Sequence, residues 1–212
     1  MPILGSFAAA SLRGFSAGGP TAQGQIVFNT VGTYSWTVPN GVNNISVVTI
    51  GGGAGFRSID TVRACGGGAL SWIGNLTVTP GTTVTVVVGS GGGLSGPSAG
   101  GTSLIQYAAT NYCTSNGGSV ASAGTVAAGG TRTGISTGGG NGGSGQASAA
   151  GAYGSGGGAG GYAGAGGNGV INNLNTAGSG GSGAGGYQGA GGGTDIFGEG
   201  GSGTARFATG NG

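Results

Sequence analysis

Alternating apolar and polar residues predict a series of short β-strands in the first half of the chain. Residues 33–38 alternate aromatic or branched side chains with polar ones, the two-residue period of a strand with one buried face. Runs rich in β-branched residues predict two more strands, at 45–50 and 83–88. The other predicted strands cover 26–28, 69–78 and 102–107. No helical period is sustained between residues 21 and 115.

Turn sequences separate these predicted strands. Residues 39–41 combine proline, asparagine and glycine, and residues 79–82 place proline and glycine in the order that favours a type II turn. Short strands with a turn about every ten residues are typical of an antiparallel sandwich. The sequence therefore predicts an all-β fold that begins with an antiparallel β-sandwich at residues 21–115. The predicted core residues are Trp36, Val47, Trp72 and Val86.

Glycine dominates the second half of the chain. Large apolar residues number 29 in residues 21–115 but 12 in residues 116–212. Glycine recurs at every third position through much of 151–201, and a first decamer at 158–167 returns as a second decamer at 183–192 with nine of ten residues identical. A three-residue period fits polyglycine II, an extended helix whose main-chain groups can bond to neighbouring helices. The sequence predicts a polyglycine II helix bundle at 116–212, and a flexible tail is the alternative.

The first twenty residues predict an N-terminal docking arm. Large apolar side chains precede the first predicted strand, and Arg13 is the one charge among them. A secretory signal would place positive charge before the apolar stretch, so the order of residues favours a docking arm over a signal. A frayed end is the other interpretation. The predicted anchoring side chains are Ile3, Leu4, Phe7, Leu12 and Phe15.

Composition removes most enzyme chemistry. The 212 residues include 62 glycines, five arginines and three acids, with no histidine and no lysine. A Ser–His–Asp triad and a histidine metal site both need histidine, and a Walker A loop needs lysine. We therefore predict no enzyme, no catalytic residue, no cofactor and no metal. A net charge of +2 argues against nucleic acid, and the apolar runs are too short for membrane insertion.

Two cysteines and one glycine-rich loop need separate consideration. Residues 51–55 follow a predicted strand, as a phosphate-binding loop would, but no helical pattern follows them, so nucleotide binding is not predicted. A disulfide between Cys65 and Cys113 could join the two ends of the β domain. Two reduced thiols are the alternative for a protein assembled in a cytosol.

A few larger side chains in the glycine tract are candidates for receptor binding. Tyr153, Tyr162 and Tyr187 could stack on the sugar rings of a receptor, or they could pack the bundle against a neighbour. Asn172 and Asn173 belong to a stretch that interrupts the glycine tract between the two decamers. That stretch is either a loop that carries specificity or a plain connection.

These residues resemble a glycine-rich domain found in many bacteriophage tail and fibre proteins. The similarity rests on residues 32–42, 45–53 and 78–89 and on the two decamers, and it extends over about residues 25–205. The opening Met-Pro-Ile-Leu-Gly is similar to the start of structural proteins of cyanobacterial phages. The glycine tract is also similar to the polyglycine II adhesin at the fibre tip of T-even-like phages, although the long fibre-binding domain of that adhesin has no counterpart here.

The resemblance implies a virion protein that is assembled in the host cytoplasm, most simply a tail fibre, spike or adhesin. Its implied partners are other virion proteins, bound through the N-terminal arm, and a glycan or outer-membrane protein of the host. The expected oligomer is a homotrimer, because a glycine bundle alone is of marginal stability. The alternatives are a capsid-decorating or other non-adhesive virion protein and a free surface-binding protein similar to ice-binding proteins.

Overall fold

Short antiparallel strands make up the regular secondary structure of the described residues. The computed structural model describes residues 24–55, 62–93, 96–122, 124–147, 155–169, 192–195 and 198–199. In chain order the strands are β1 (Gly32–Thr37), β2 (Asn44–Ile50), β3 (Val62–Cys65), β4 (Leu70–Thr77), β5 (Thr83–Val88), β6 (Ser103–Tyr107), β7 (Thr110–Ser115), β8 (Val120–Ser122), β9 (Val126–Ala127), β10 (Arg132–Thr133), β11 (Gly138–Gly140), β12 (Gly145–Gln146), β13 (Thr194–Asp195) and β14 (Gly198–Glu199). No helix occurs in these parts of the chain, so the predicted all-β class with antiparallel sheets is confirmed.

Two sheets contain most of these strands. The larger sheet has the order β1-β5-β6-β7-β10, and the smaller has the order β11-β4-β2. All neighbours in both sheets are antiparallel, with Trp36 of β1 opposite Val84 of β5 and Val48 of β2 opposite Trp72 of β4. The pairs β3-β8, β9-β12 and β13-β14 form separate two-stranded ladders.

One apolar core lies between the two sheets. The alternating pattern of β1 and β2 turns one face of each strand inward, as the two-residue period requires. The buried cluster draws on both sheets and contains Val38, Ile73, Leu76, Val78, Val84, Val86, Ile105 and Cys113. Of the predicted core residues, Val86 is buried, and Trp36, Val47 and Trp72 are partly buried.

Most of the strands predicted for the first half are present. The predicted strands at 33–38, 45–50, 69–78, 83–88 and 102–107 correspond to β1, β2, β4, β5 and β6. The predicted strand at 26–28 is wrong, because no described strand lies beside these residues to pair with them. Strand β7 was not predicted, since only Tyr112 and Cys113 interrupt its polar sequence.

Strands on both sides of residue 115 belong to the same sheets. Strand β10 pairs with β7, and β11 pairs with β4, so residues 132–140 extend sheets that begin at residue 32. The described part of residues 116–212 also includes β8, β9 and β12. The division of the chain into segments 1–20, 21–115 and 116–212 stays a prediction.

Tight turns close the sheets at one end. Thr82 N donates to the carbonyl oxygen of Thr79 at 3.1 Å, and Gly81 has φ of +79°. This is the geometry expected of a type II turn, whose third residue needs the left-handed region that glycine enters freely. Gly41 has φ of +84° in the preceding turn, where Val42 N donates to the carbonyl oxygen of Pro39 at 3.2 Å.

The third turn at this end places alanine where glycine or asparagine is usual. Tyr107 and Thr110 are paired across β6 and β7, which leaves Ala108 and Ala109 as a two-residue loop. Their φ values are +47° and +61°, as in a type I′ turn. Each alanine in the left-handed region costs about 1–2 kcal/mol. The turn therefore carries backbone strain that a different pair of residues would relieve.

We expect the double substitution Ala108→Asn and Ala109→Gly to stabilise the protein. Asparagine and glycine enter the left-handed region more readily, so the free energy of unfolding should rise by about 1–2 kcal/mol. Urea denaturation followed by far-UV circular dichroism measures the change. As a matched control, Ala99→Gly lies at an exposed position without positive φ and should destabilise by about 0.5–1 kcal/mol. Equal changes in the free energy of unfolding for the two variants would contradict backbone strain at Ala108 and Ala109.

Candidate functional site

Glycine segments continue the sheets at the end opposite the turns. These segments are residues 51–55, 65–69, 89–93, 98–102, 116–119, 128–131, 140–145, 155–161 and 164–169. Strands β2, β5 and β7 run directly into a segment, and β4 and β6 each follow one. The strands thus place the ends of five glycine segments side by side. We call the nine segments and their mutual hydrogen bonds the glycine network.

Side chains become smaller along the core toward this network. In β2 the inward positions pass from Ile45 and Val47 to Thr49, and the next inward position is Gly51. The buried Thr49 Oγ1 lies 2.8 Å from Ser115 Oγ, and Ser115 Oγ donates to the carbonyl oxygen of Thr49 at 2.9 Å. These two small hydroxyl side chains bond to each other, so the two sheets can converge while both hydroxyls keep a partner.

Main-chain hydrogen bonds join the segments with a step of three residues. Gly51 N donates to the carbonyl oxygen of Ala69 at 2.8 Å, and three residues later Ala54 N donates to Gly66 at 3.1 Å. The same step recurs in five further pairs of bonds, each from a main-chain N–H to a carbonyl oxygen. They are Gly52 to Gly101 with Gly55 to Ser98, Gly66 to Ser119 with Ala69 to Asn116, Asn116 to Thr131 with Ser119 to Ala128, Gly157 to Cys65 with Gly160 to Gly68, and Gly166 to Asn141 with Gly169 to Ser144. Side chains of a β-strand repeat every two residues, so this step distinguishes the segments from strands.

Segment 65–69 lies at the centre of the glycine network. Its main-chain groups bond to five other segments, at residues 51–54, 116–119, 130, 143 and 157–160. A strand inside a sheet has two neighbours, whereas this segment is bonded on most sides. Residues that are far apart in sequence are therefore fixed relative to one another through their backbones.

Glycine is required in this segment for space and not for backbone conformation. A Cβ added to Gly66, Gly67 or Gly68 would lie closer than 3.0 Å to a carbonyl oxygen of a neighbouring segment. The three oxygens belong to Ala128, Gly158 and Gly51, respectively. None of the three glycines has positive φ, so an alanine could adopt the backbone conformation but would overlap the neighbouring chain.

Two asparagine side chains add hydrogen bonds at the margin of the network. Asn141 Oδ1 accepts a hydrogen bond from Arg132 N at 2.9 Å, and Asn168 Oδ1 accepts one from Ser144 N at 2.9 Å. A side-chain amide thus takes the place of a carbonyl from a further segment. The two exposed N–H groups keep a protein partner in this way.

Trp72 of β4 ties the smaller sheet to the network. Its Nε1 donates to the carbonyl oxygen of Tyr162 at 2.9 Å, across 90 residues of sequence. The indole ring also lies against Gly138 of β11, where an added Cβ would meet ring atoms closer than 3.0 Å. One aromatic side chain therefore connects a strand, its neighbour in the sheet and the glycine network.

The first decamer closes as a hairpin within the network. Gly161 N donates to the carbonyl oxygen of Gly164 at 2.9 Å and forms its turn. The second decamer lies outside the described residues apart from its last residue, Gly192. That residue accepts a hydrogen bond from Ala159 N at 3.1 Å, so the end of the second decamer contacts the first.

The structure describes one of the three candidate tyrosines. Tyr162 is half-buried and contributes its main-chain carbonyl to the bond with Trp72. This bond involves the main chain and not the ring, so packing and receptor binding both stay predictions for Tyr162. The other candidates, Tyr153, Tyr187, Asn172 and Asn173, lie outside the described residues. So do the predicted anchoring residues Ile3, Leu4, Phe7, Leu12 and Phe15.

Both cysteines are free, buried thiols. Burial raises the pKa of Cys65 to about 11. Burial also raises the pKa of Cys113, and the neighbouring Ser71 side chain opposes part of that rise. Both thiols are therefore protonated at neutral pH, which makes them poor nucleophiles.

Charged and metal-binding groups are sparse on the described surface. Arg132 is exposed, and its Nη1 donates to Ser136 Oγ at 3.0 Å. Within the described ranges, no three His, Cys, Asp or Glu side chains lie close enough together to hold a metal ion. The same ranges contain no helix long and apolar enough to cross a membrane.

Comparison with known proteins finds a family model that covers most of the chain. A family model described as a glycine-rich domain matches residues 28–212, which include the sheets and every glycine segment. No curated protein matches the chain significantly. The match supports the glycine-rich domain in the resemblance drawn from the sequence, and the link to bacteriophage tail proteins stays a prediction.

We expect Gly67→Ala to destabilise the protein by at least about 2 kcal/mol. The new methyl group would displace the segment that carries Gly158, and overpacking costs about 1–3 kcal/mol in addition to about 1 kcal/mol for each hydrogen bond that is lost. Gly53→Ala is the matched control, because its Cβ would meet nothing within 4 Å and its φ is not positive. Differential scanning calorimetry of both variants measures the difference, and similar melting temperatures would contradict the close approach.

We expect the buried thiol of Cys65 to make stability fall in alkaline solution. Its pKa in the folded protein is about 11, above the usual thiol value of about 8.5. Between these pH values the unfolded chain loses its thiol proton while the folded chain retains it, so stability falls as pH rises. The melting temperature of Cys65→Ala should therefore fall less between pH 8 and pH 10.5 than that of the unchanged protein. If the melting temperatures of the two proteins fell equally with pH, the buried Cys65 thiol would not contribute to the alkaline loss of stability.

Proposed function

We propose that this chain, which belongs to the family of glycine-rich domains, is a structural protein of a bacteriophage particle. Its role in this proposal is that of a tail fibre, spike or adhesin that contacts the host surface. The observation that carries the proposal is the three-residue step of the hydrogen bonds in the glycine network. The resemblance of the sequence to phage tail and fibre proteins supports the same role.

The glycine segments are, in this proposal, polyglycine II helices. A helix with three residues per turn presents equivalent main-chain groups at every third residue, which is the step that the hydrogen bonds follow. The glycines of segment 65–69 have no positive φ, as the left-handed polyglycine II helix requires. The proposed bundle begins before residue 116, because segment 65–69 lies at its centre.

A glycine network suits a protein that is exposed on a particle. Its hydrogen bonds join main chains, so they need neither charged side chains nor a large apolar core. In the sequence, residues 56–61 join segment 51–55 to β3, and residues 94–97 join segment 89–93 to segment 98–102. Connections on a fixed scaffold can vary without altering it, which is useful for recognition of a host glycan or outer-membrane protein.

In this proposal the first twenty residues attach the protein to the particle. The N-terminal arm, residues 1–20, would bind other virion proteins during assembly in the host cytoplasm. Burial of each large apolar side chain of the arm is worth about 1.5–3 kcal/mol. Several copies bound at once, as in a homotrimer, would multiply this attachment through effective concentration.

Immunogold electron microscopy of the particles tests the proposed function. Antibodies raised against the purified full chain should label intact particles of the phage whose genome encodes it, at the tail or at the fibre tips. Incubating host cells with the purified protein should also reduce phage adsorption at least tenfold. Label confined to the capsid would overturn the adhesin role in favour of a decorating protein. Particles without label would overturn the virion role itself.

A further inference from the structure

An apolar run precedes β1 without pairing to any described strand. Residues 24–31 lead into β1. Their β-branched residues favour an extended strand conformation, which is why the sequence predicts a strand at 26–28. Three large apolar side chains in this run are at least half exposed, with Ile26 at 55%, Val27 at 50% and Val31 at 60%. A run that favours a strand, exposes apolar side chains and has no strand partner among the described residues is a candidate contact surface.

The concentration of these side chains sets the run apart from the rest of the described surface. Val126 and Ile135 are equally exposed, at 59% and 60%, but each stands in a different part of the chain. Single exposed apolar residues are ordinary on protein surfaces, whereas a contiguous patch marks an interaction site. The run at 24–31 is therefore the best candidate for a contact surface.

The run is held in place and does not fray away from the sheets. Phe28 packs against the core, and its ring centroid lies 5.1 Å from that of Tyr34. Tyr34 Oη donates to the carbonyl oxygen of Thr30 at 2.8 Å. The exposed side chains are thus presented in a fixed position, which lowers the entropy lost when a partner binds.

The run at 24–31 and strand β1 carry no charge that would oppose contact between two copies. Strand β1 is the end strand of the larger sheet, and natural edge strands usually carry charges that prevent pairing with another chain. Residues 14–56 contain no charged residue. Two copies can therefore meet here without like-charge repulsion.

We propose that the apolar run at 24–31, together with edge strand β1, is the surface on which a second copy of this chain docks. In the sequence, the 23 residues that precede Gly24 lead directly into this run, and they carry large apolar side chains at 3, 4, 7, 12 and 15. The inference rests on exposure, packing and charge at this surface and is independent of the virion role.

Analytical ultracentrifugation of the purified full chain at micromolar concentration tests this surface. The unchanged protein should sediment as an oligomer. The double variant Ile26→Lys and Val27→Lys should raise the apparent dissociation constant at least about 100-fold, because two branched side chains lose their burial. The matched control, Val126→Lys with Ile135→Lys, changes two equally exposed residues elsewhere and should leave the oligomer intact.

Other outcomes would overturn the inference. They are a monomeric unchanged protein, an oligomer that survives the change at 26 and 27, and an equal loss of association in the control. Circular dichroism verifies that each variant is folded. If the lysine variant fails to fold, a second measurement decides. Under mild oxidation Val27→Cys should cross-link into a covalent dimer and Val126→Cys should not, and the reverse result would overturn the inference.

Discussion

Direct contact between main chains is the constraint on which this structure depends. Segment 65–69 is bonded to five neighbouring segments, and a methyl group on Gly66, Gly67 or Gly68 would overlap one of them. Hydrocarbon side chains normally separate backbones and provide the favourable free energy of burial. Here the absence of side chains lets backbones approach until their N–H and C=O groups satisfy one another. Each such bond contributes only about 1 kcal/mol, so their number and mutual support matter more than any one of them.

The sheets make this arrangement possible. A glycine segment alone would lose more conformational entropy on ordering than its hydrogen bonds return. Strands that are already paired deliver the ends of five segments side by side, and the core narrows through Thr49 and Ser115 until the backbones meet. Trp72 then fixes the hairpin of the first decamer to the smaller sheet. The apolar core and the glycine network therefore act as one structure that changes from side-chain packing to main-chain bonding along its length.

The elements that could be predicted from the sequence are those whose periodicity extends over enough residues to be recognised. Alternation located β1, β2, β4, β5 and β6, and a period of three singled out the glycine tract. The central segment 65–69 was not recognised as part of a glycine network, because a run of three glycines between strands is too short to display a period. The role of Trp72 was also missed, since its partner Tyr162 is 90 residues away and contributes a carbonyl that every residue possesses. The wrong strand at 26–28 has a local signal but no strand partner in the described part of the chain, and pairing decides whether a strand forms.

The small share of hydrocarbon in the interior affects how stability varies with temperature. Exposure of apolar surface raises the heat capacity on unfolding, by about 0.45 cal/K/mol/Å², and exposure of polar surface lowers it by about 0.26 cal/K/mol/Å². With 62 glycines in 212 residues, unfolding this chain exposes peptide groups in place of much of the hydrocarbon that an ordinary domain buries. We therefore expect its heat-capacity change per residue to be smaller than that of an ordinary domain, and its curve of unfolding free energy against temperature to be flatter. Cold water weakens the hydrophobic effect, but it weakens a scaffold of this kind much less than one built on a large apolar core.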